Sequence, residues 1–217
     1  ITSKIKVPLW NEEHDSPSDP PPYGVMGWHE GDSAVYVYDR YDVWKVNMVG
    51  ESKTKNITVL GRNTKRIFRY LKVDPDERYL KNTQTVFFRV FDDVSKNAEI
   101  KEASLNDVVF KSAPISDGAY SFASLTKAKD QHAFIYTKES YKESTDLCSN
   151  VGSSLTGEHS SLRWVSSETK LSSLNPQQKD YNWGAAELYH WKTFKGKQSE
   201  GILYKPEDFD PKKKYPV

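Results

Sequence analysis

Cysteine is almost absent. Cys148 stands alone, so no disulfide can form within the chain and its fold depends on side-chain packing. Without the neighbours that activate a thiol, Cys148 is expected to be a small buried residue. An excess of either charge is also missing. The 31 Lys and Arg are matched by 30 Asp and Glu, so the basic bias of a nucleic-acid-binding domain is not there. Lys212-Lys213-Lys214 is the one dense basic cluster, and a solvated loop accounts for it. No apolar run approaches the roughly 20 residues that cross a bilayer as a helix, and no signal peptide is visible. Helical periodicity is lacking too, since no segment sustains apolar residues at i, i+3, i+4 and i+7.

Signatures of chemistry are equally scarce. His14, His29, His132, His159 and His190 are scattered, and none stands four residues from another as a zinc-binding helix requires. Neither the P-loop nor the dinucleotide fingerprint occurs. The Gly-x-Ser-x-Gly elbow, whose glycines give a strained nucleophile turn its room, is absent. Ser33 follows Gly31, but Val35 stands where the second glycine belongs; Ser154 follows Gly152, but Thr156 stands there. No catalytic, cofactor-binding or metal-binding residue is therefore assigned, and no cofactor is expected.

What the chain does have is 13 Tyr, 9 Phe and 6 Trp, mixed with β-branched residues in short runs. Such side chains fit a pleated, half-buried surface. Residues 1–23 read as an irregular connector, with four prolines in Asp15–Tyr23. A regular rhythm then begins. Gly24–His29, Ser33–Asp39, Asp42–Asn47 and Asn56–Leu60 read as four strands, the size of one propeller blade. Arg66–Val73, Thr85–Asp92, Ala98–Ser104 and Asp107–Ser112 form a second round. Tyr120–Leu125, Ala133–Lys138, Asp146–Asn150 and Lys170–Leu174 form a third, with a long Ser- and Gly-rich loop over Val151–Ser167. The pairs Tyr38-Asp39 and Phe91-Asp92 hold the same place in successive rounds. A β-sandwich is the competing arrangement of such strands.

Trp183–Phe194 and Glu200–Lys205 flank the polar turn Lys195-Gly196-Lys197 and predict a β-hairpin outside the repeat. The start at Ile1 and the end at Val217, in what reads as an unfinished apolar run, lead to the expectation that the chain is a piece of a longer protein. The fold class expected is all-β: a partial β-propeller of about three four-stranded blades over 24–174, then an exit segment and hairpin over 175–217. Open blade flanks are expected to promote self-association.

Gly201–Val217 (GILYKPEDFDPKKKYPV) resembles the lead-in to the catalytic domain of the prolyl oligopeptidase family of serine peptidases. Asn175–Gln178 (NPQQ), Trp183–Leu188 (WGAAEL) and Phe134–Tyr141 (FIYTKESY) resemble the last blade and exit of that family's propeller, and Gly27–Val46 an earlier blade. The nearest subgroup is bacterial, dipeptidyl-peptidase-IV-like or acylaminoacyl-peptidase-like. The resemblance implies a parent in which a propeller restricts peptide access to an α/β-hydrolase domain carrying a Ser-Asp-His triad. It also implies a periplasmic or secreted setting. The hairpin would be the first strands of the hydrolase sheet, and this chain alone would be inert, its partners being that missing domain and the parent's peptide substrates.

Two carboxylate pairs are candidates for function. Glu12-Glu13 is similar to the adjacent glutamates with which dipeptidyl peptidases hold a substrate's amino terminus, but it sits in a different sequence setting, in a polar loop. Asp92-Asp93 lies at a strand end and reads as a solvated turn, since an acid/base pair needs surroundings that separate the two pKa values. Asn56-Ile57-Thr58 fits a glycosylation sequon but falls in an expected strand. A free-standing β-rich module that binds protein or carbohydrate is the alternative function, because fold alone does not choose between them.

Overall fold

The aromatic and β-branched runs form strands, and consecutive strands pair. The computed structural model describes residues 2–48, 54–105, 114–154 and 164–216. Strands β1 (Val25–Trp28), β2 (Ala34–Tyr38), β3 (Val43–Asn47) and β4 (Lys55–Asn56) make a first antiparallel sheet in chain order. The second joins β5 (Arg66–Leu71), β6 (Thr85–Asp92), β7 (Ala98–Ser104) and β8 (Ser116–Gly118). The third joins β9 (Ser121–Lys127), β10 (Ala133–Glu139), β11 (Asp146–Ser154) and β12 (Trp164–Lys170). A separate hairpin pairs β13 (Ala185–Lys192) with β14 (Gln198–Lys205). Gly196 in its turn has φ of 76°, a left-handed conformation that glycine adopts without strain. The architecture is mostly β. Among the described residues, helix is confined to α1 (Gly61–Thr64) and short 3-10 turns, none long and apolar enough to cross a membrane.

The second sheet is the middle layer of three. Along β6, Val86, Phe88 and Val90 point one way and pack with Tyr36, Tyr38, Val43 and Ile57 of the first sheet's side. Phe87 points the other way, against Phe122, Phe134, Tyr136 and Cys148 of the third. Phe88 meets the Phe68 ring edge-on at 6.1 Å, and Phe87 meets Phe134 at 5.3 Å. Two distinct cores thus lie on opposite faces of one strand. Each large side chain removed from water stabilises the stack by about 1.5–3 kcal/mol before entropy is counted. Buried Asn150 on β11 adds a polar link, its Nδ2 donating to the Ile115 carbonyl at 2.6 Å.

The turn between second and third strands is built the same way in each sheet. Asp39 accepts the N–H groups of Tyr41 and Asp42, two and three residues on. Asp92 accepts those of Val94 and Ser95, and the Ser140 hydroxyl those of Lys142 and Glu143. These are side-chain mimics of a backbone turn. A second device recurs in the first and third sheets. Asp42 accepts from the Thr58 hydroxyl at 2.6 Å and the Gly61 N–H at 2.9 Å. Asp146 accepts from the Ser172 hydroxyl at 2.6 Å and the Leu174 N–H at 2.9 Å. The same hydroxyls also accept the N–H of Val43 and of Leu147. Each clasp pins the chain leaving the fourth strand to the start of the third.

These clasps explain where the strands depart from expectation. β4 stops at Asn56, because Asn56 Oδ1 takes the N–H groups of Thr58 and Val59 and turns the chain out of the ladder. The fourth strand of the third sheet is Trp164–Lys170 rather than Lys170–Leu174; beyond Lys170 the chain is drawn onto Asp146 instead. The strand expected over Asp107–Ser112 lies outside the described residues, and Ser116–Gly118 is the fourth strand described there. The connector is irregular, folding back so that Trp10 bridges Pro22.

The Asp146 clasp carries a pH signature. Lys170 Nζ, 2.5 Å away, together with Ser172 and the Leu174 N–H, lowers the Asp146 pKa from 3.8 to about 2. A depressed carboxyl contributes stability above its unfolded pKa, lost as pH falls through the folded one. Acid unfolding monitored between about pH 4 and pH 2 should therefore show a slope that Asp146→Asn reduces; an unchanged slope in that window contradicts the clasp.

Candidate functional site

The second-to-third-strand turns of the second and third sheets, at Ser95–Lys96 and Ser140–Tyr141, lie beside the hairpin. Between the hairpin, β5 and β6, and the segment around Tyr120 lies a cleft of about 1020 Å³. One face of the hairpin, bearing Leu188, Glu200, Ile202 and Tyr204, closes it; Tyr204 meets the Tyr141 ring at 5.3 Å. The opposite face leaves Tyr189 and Trp191 stacked and exposed.

A chain of alternating charges holds the hairpin and the connector to this end. Glu13 pairs with Arg40 at 2.7 Å, Arg40 with Asp93 at 3.0 Å, Asp93 with Lys96 at 3.0 Å, and Lys96 with Glu200 at 2.7 Å. Exposed pairs are individually weak, but together they fix relative position. Burial pushes the Asp93 carboxyl up, and Lys96, Arg40 and Tyr41 outweigh it, so its pKa falls below the usual range.

The carboxylate pairs singled out in the sequence are thus placed in structural roles. Glu12 is gripped by the two terminal Arg62 nitrogens at 3.1 and 2.9 Å, and that interaction holds its pKa down. Asp92 spends Oδ1 on its turn, while Asp93 serves the charge chain. Both are lowered, Asp92 chiefly by the Ser95 N–H, so neither is poised as an acid at neutral pH. Asn56 is committed to its own turn. His14 bonds Ser18, His29 bonds Ser33 and Asn82, His132 pairs with Glu102 at 2.5 Å, and His190 lies 3.6 Å from Glu200. His159 lies outside the described residues. Cys148 is buried in the core between the second and third sheets.

One further polar cluster was not legible in advance. The Glu168 carboxylate accepts from the Ser116 hydroxyl at 2.5 Å, the Tyr136 hydroxyl at 2.6 Å and Lys138 Nζ at 2.5 Å. Burial raises the Glu168 pKa, but Lys138, Ser116 and Tyr136 prevail and lower it. A carboxylate so stabilised is a poor base for activating Ser116. The cluster joins the second sheet to the third.

The cleft's own cations were also missed. Arg69 on β5 and Arg89 on β6 stand directly opposite each other in the ladder. The signal was an arginine within each of two apolar strands, RIFRYL and TVFFRVFD. The arrangement can bind a ligand, but no nucleophile, base and orienting group come together among the cleft's residues. No family model, curated protein or solved structure matches this chain.

Proposed function

We propose that the three sheets are successive blades of a β-propeller, and that the chain is the propeller part of a serine peptidase of the prolyl oligopeptidase type. The observation that carries the first half is repetition. Three chain-consecutive, four-stranded antiparallel meanders stack face to face, and each opens its central turn with the same side-chain device. A sandwich has no reason to repeat that turn at each third of the chain.

The second half rests on the resemblance of Phe134–Tyr141, Asn175–Gln178, Trp183–Leu188 and Gly201–Val217 to that family's propeller exit and hydrolase lead-in. In this reading the β13–β14 hairpin begins the hydrolase sheet, and its exposed Tyr189 and Trp191 face is where that domain packs. The blades do no chemistry; they bind and restrict what reaches the triad. A fluorophosphonate, which reacts with activated serine, is then expected to leave the purified 217-residue chain unlabelled and its hydrolysis of a dipeptidyl chromogenic substrate at buffer level. Turnover by this chain that the phosphonate blocks would overturn the division of labour.

A further inference from the structure

The charges around the cleft are unevenly satisfied. Its acids are spoken for: Glu200 pairs with Lys96 at 2.7 Å, Glu187 with Lys205 at 2.5 Å, and Glu139 accepts from the Thr145 hydroxyl. Its arginines are not. Arg69 spends its guanidinium on the carbonyls of Phe68, Asp39 and Arg40, and stacks on the rings of Tyr38 and Tyr23. These acceptors are neutral carbonyls; the Asp39 carboxylate favours the Arg69 charge without bonding to it. The Arg89 side chain, exposed on the cleft side, forms no hydrogen bond or ion pair with any protein group among the described residues, and its register partner is Arg69 itself.

Like charges directly opposite in a ladder destabilise it. Burial already disfavours the Arg69 charge, and Arg89 adds to that. A free arginine on a central strand, against another arginine and facing a cavity, makes physical sense if an anion completes it. The guanidinium fork matches a carboxylate with two parallel hydrogen bonds. The rest of the wall selects the body of the ligand: Phe91, Tyr120, Tyr141, Tyr204 and Ile202 offer aromatic and apolar surface.

We infer that this cleft binds a carboxylate-bearing, peptide-like or aromatic ligand, with Arg89 as the anion anchor and Arg69 as the fixed second charge. The inference does not depend on the peptidase reading, since it uses only the charges and shape of the cleft.

Calorimetric titration of the full 217-residue chain tests it, with hippurate (an aromatic acyl glycine), its neutral amide hippuramide, and inorganic phosphate as probes. Hippurate is expected to bind, with affinity falling as salt rises. Hippuramide binding, and hippurate binding to Arg89→Gln, should each be weaker by about tenfold or more, the range of a lost charged hydrogen bond. Arg89→Lys, which keeps charge but not the fork, should fall between. Arg89→Gln relieves the Arg69–Arg89 opposition, so its melting temperature should match or exceed that of the parent chain. If that variant does not fold, the Lys variant and the amide carry the test. Equal binding of acid and amide, hippurate binding unchanged at Arg89, or no hippurate binding at all overturns the proposal. Phosphate binding more tightly than hippurate overturns the carboxylate assignment.

Discussion

Asp42→Ala is expected to destabilise the chain by about 3–5 kcal/mol. The side chain is 1% exposed and accepts from three donors: the Thr58 hydroxyl, the Gly61 N–H, and the Arg62 N–H at 3.0 Å. Hydrogen bonds to a charged acceptor contribute about 1.5–3 kcal/mol each, and every donor left buried without a partner adds a penalty of about 1–3 kcal/mol. Water entering the vacated space offsets part of that sum. The Gly61 backbone approaches so closely that a Cβ there would lie 2.6 Å from Asp42 Oδ1 and 2.8 Å from the Arg66 carbonyl. The loop is therefore closed tightly on this one carboxylate. Asp42→Asn keeps one acceptor oxygen and should lose about half as much. Urea denaturation reads both. A loss below about 1 kcal/mol for the alanine variant would place Asp42 among ordinary surface residues and contradict the clasp.

Phe87→Ala and Phe88→Ala, adjacent in sequence, should each lower stability by about 3–5 kcal/mol and do so through different interfaces. Phe88 is fully buried between the first and second sheets, where it contacts Phe68 and Tyr70; Phe87, 2% exposed, lies between the second and third, against Phe134. Cavities on opposite faces of one sheet share no side-chain partners, so the free-energy losses should nearly add in the double variant. Amide hydrogen exchange separates the two faces. Phe88→Ala should release protection first in β2 and β3, Phe87→Ala first in β10 and β11. Identical release patterns for the two variants would show that β6 does not divide two cores.

How much of this was written in the sequence varies with the range of the interaction. TVFFRVF is a nearly unbroken apolar run, which is what a strand buried on both faces requires, and its pairing with neighbours in chain order followed from the turns between them. The shared place of Tyr38-Asp39 and Phe91-Asp92 was visible as a pattern, and the structure supplies its cause in Asp side chains that take the N–H groups two and three residues on. The clasps were not visible. Thr58 is 16 residues from Asp42 and Ser172 is 26 from Asp146, and nothing in local propensity links them. Missing them displaced the fourth strand of the third sheet and lengthened that of the first.

The charged positions failed for the same reason. Glu12 and Glu13 looked like an unassigned acidic pair until Arg62 and Arg40 arrived from distant turns. Arg69 and Arg89 sit within two apolar strands, and only register sets them opposite each other beside a cavity. Charge partners between sheets depend on register and stacking, which periodicity does not encode.

In the proposed peptidase reading, the three sheets stand in front of a catalytic domain they do not contain. The most direct measurement is fluorophosphonate labelling of two products side by side: the 217-residue chain, and the product of the same reading frame continued beyond Val217. A serine label is expected on the longer product alone, at a Gly-x-Ser-x-Gly elbow, with peptide turnover lost on labelling. A continued frame that carries no such elbow and takes no label would contradict that reading.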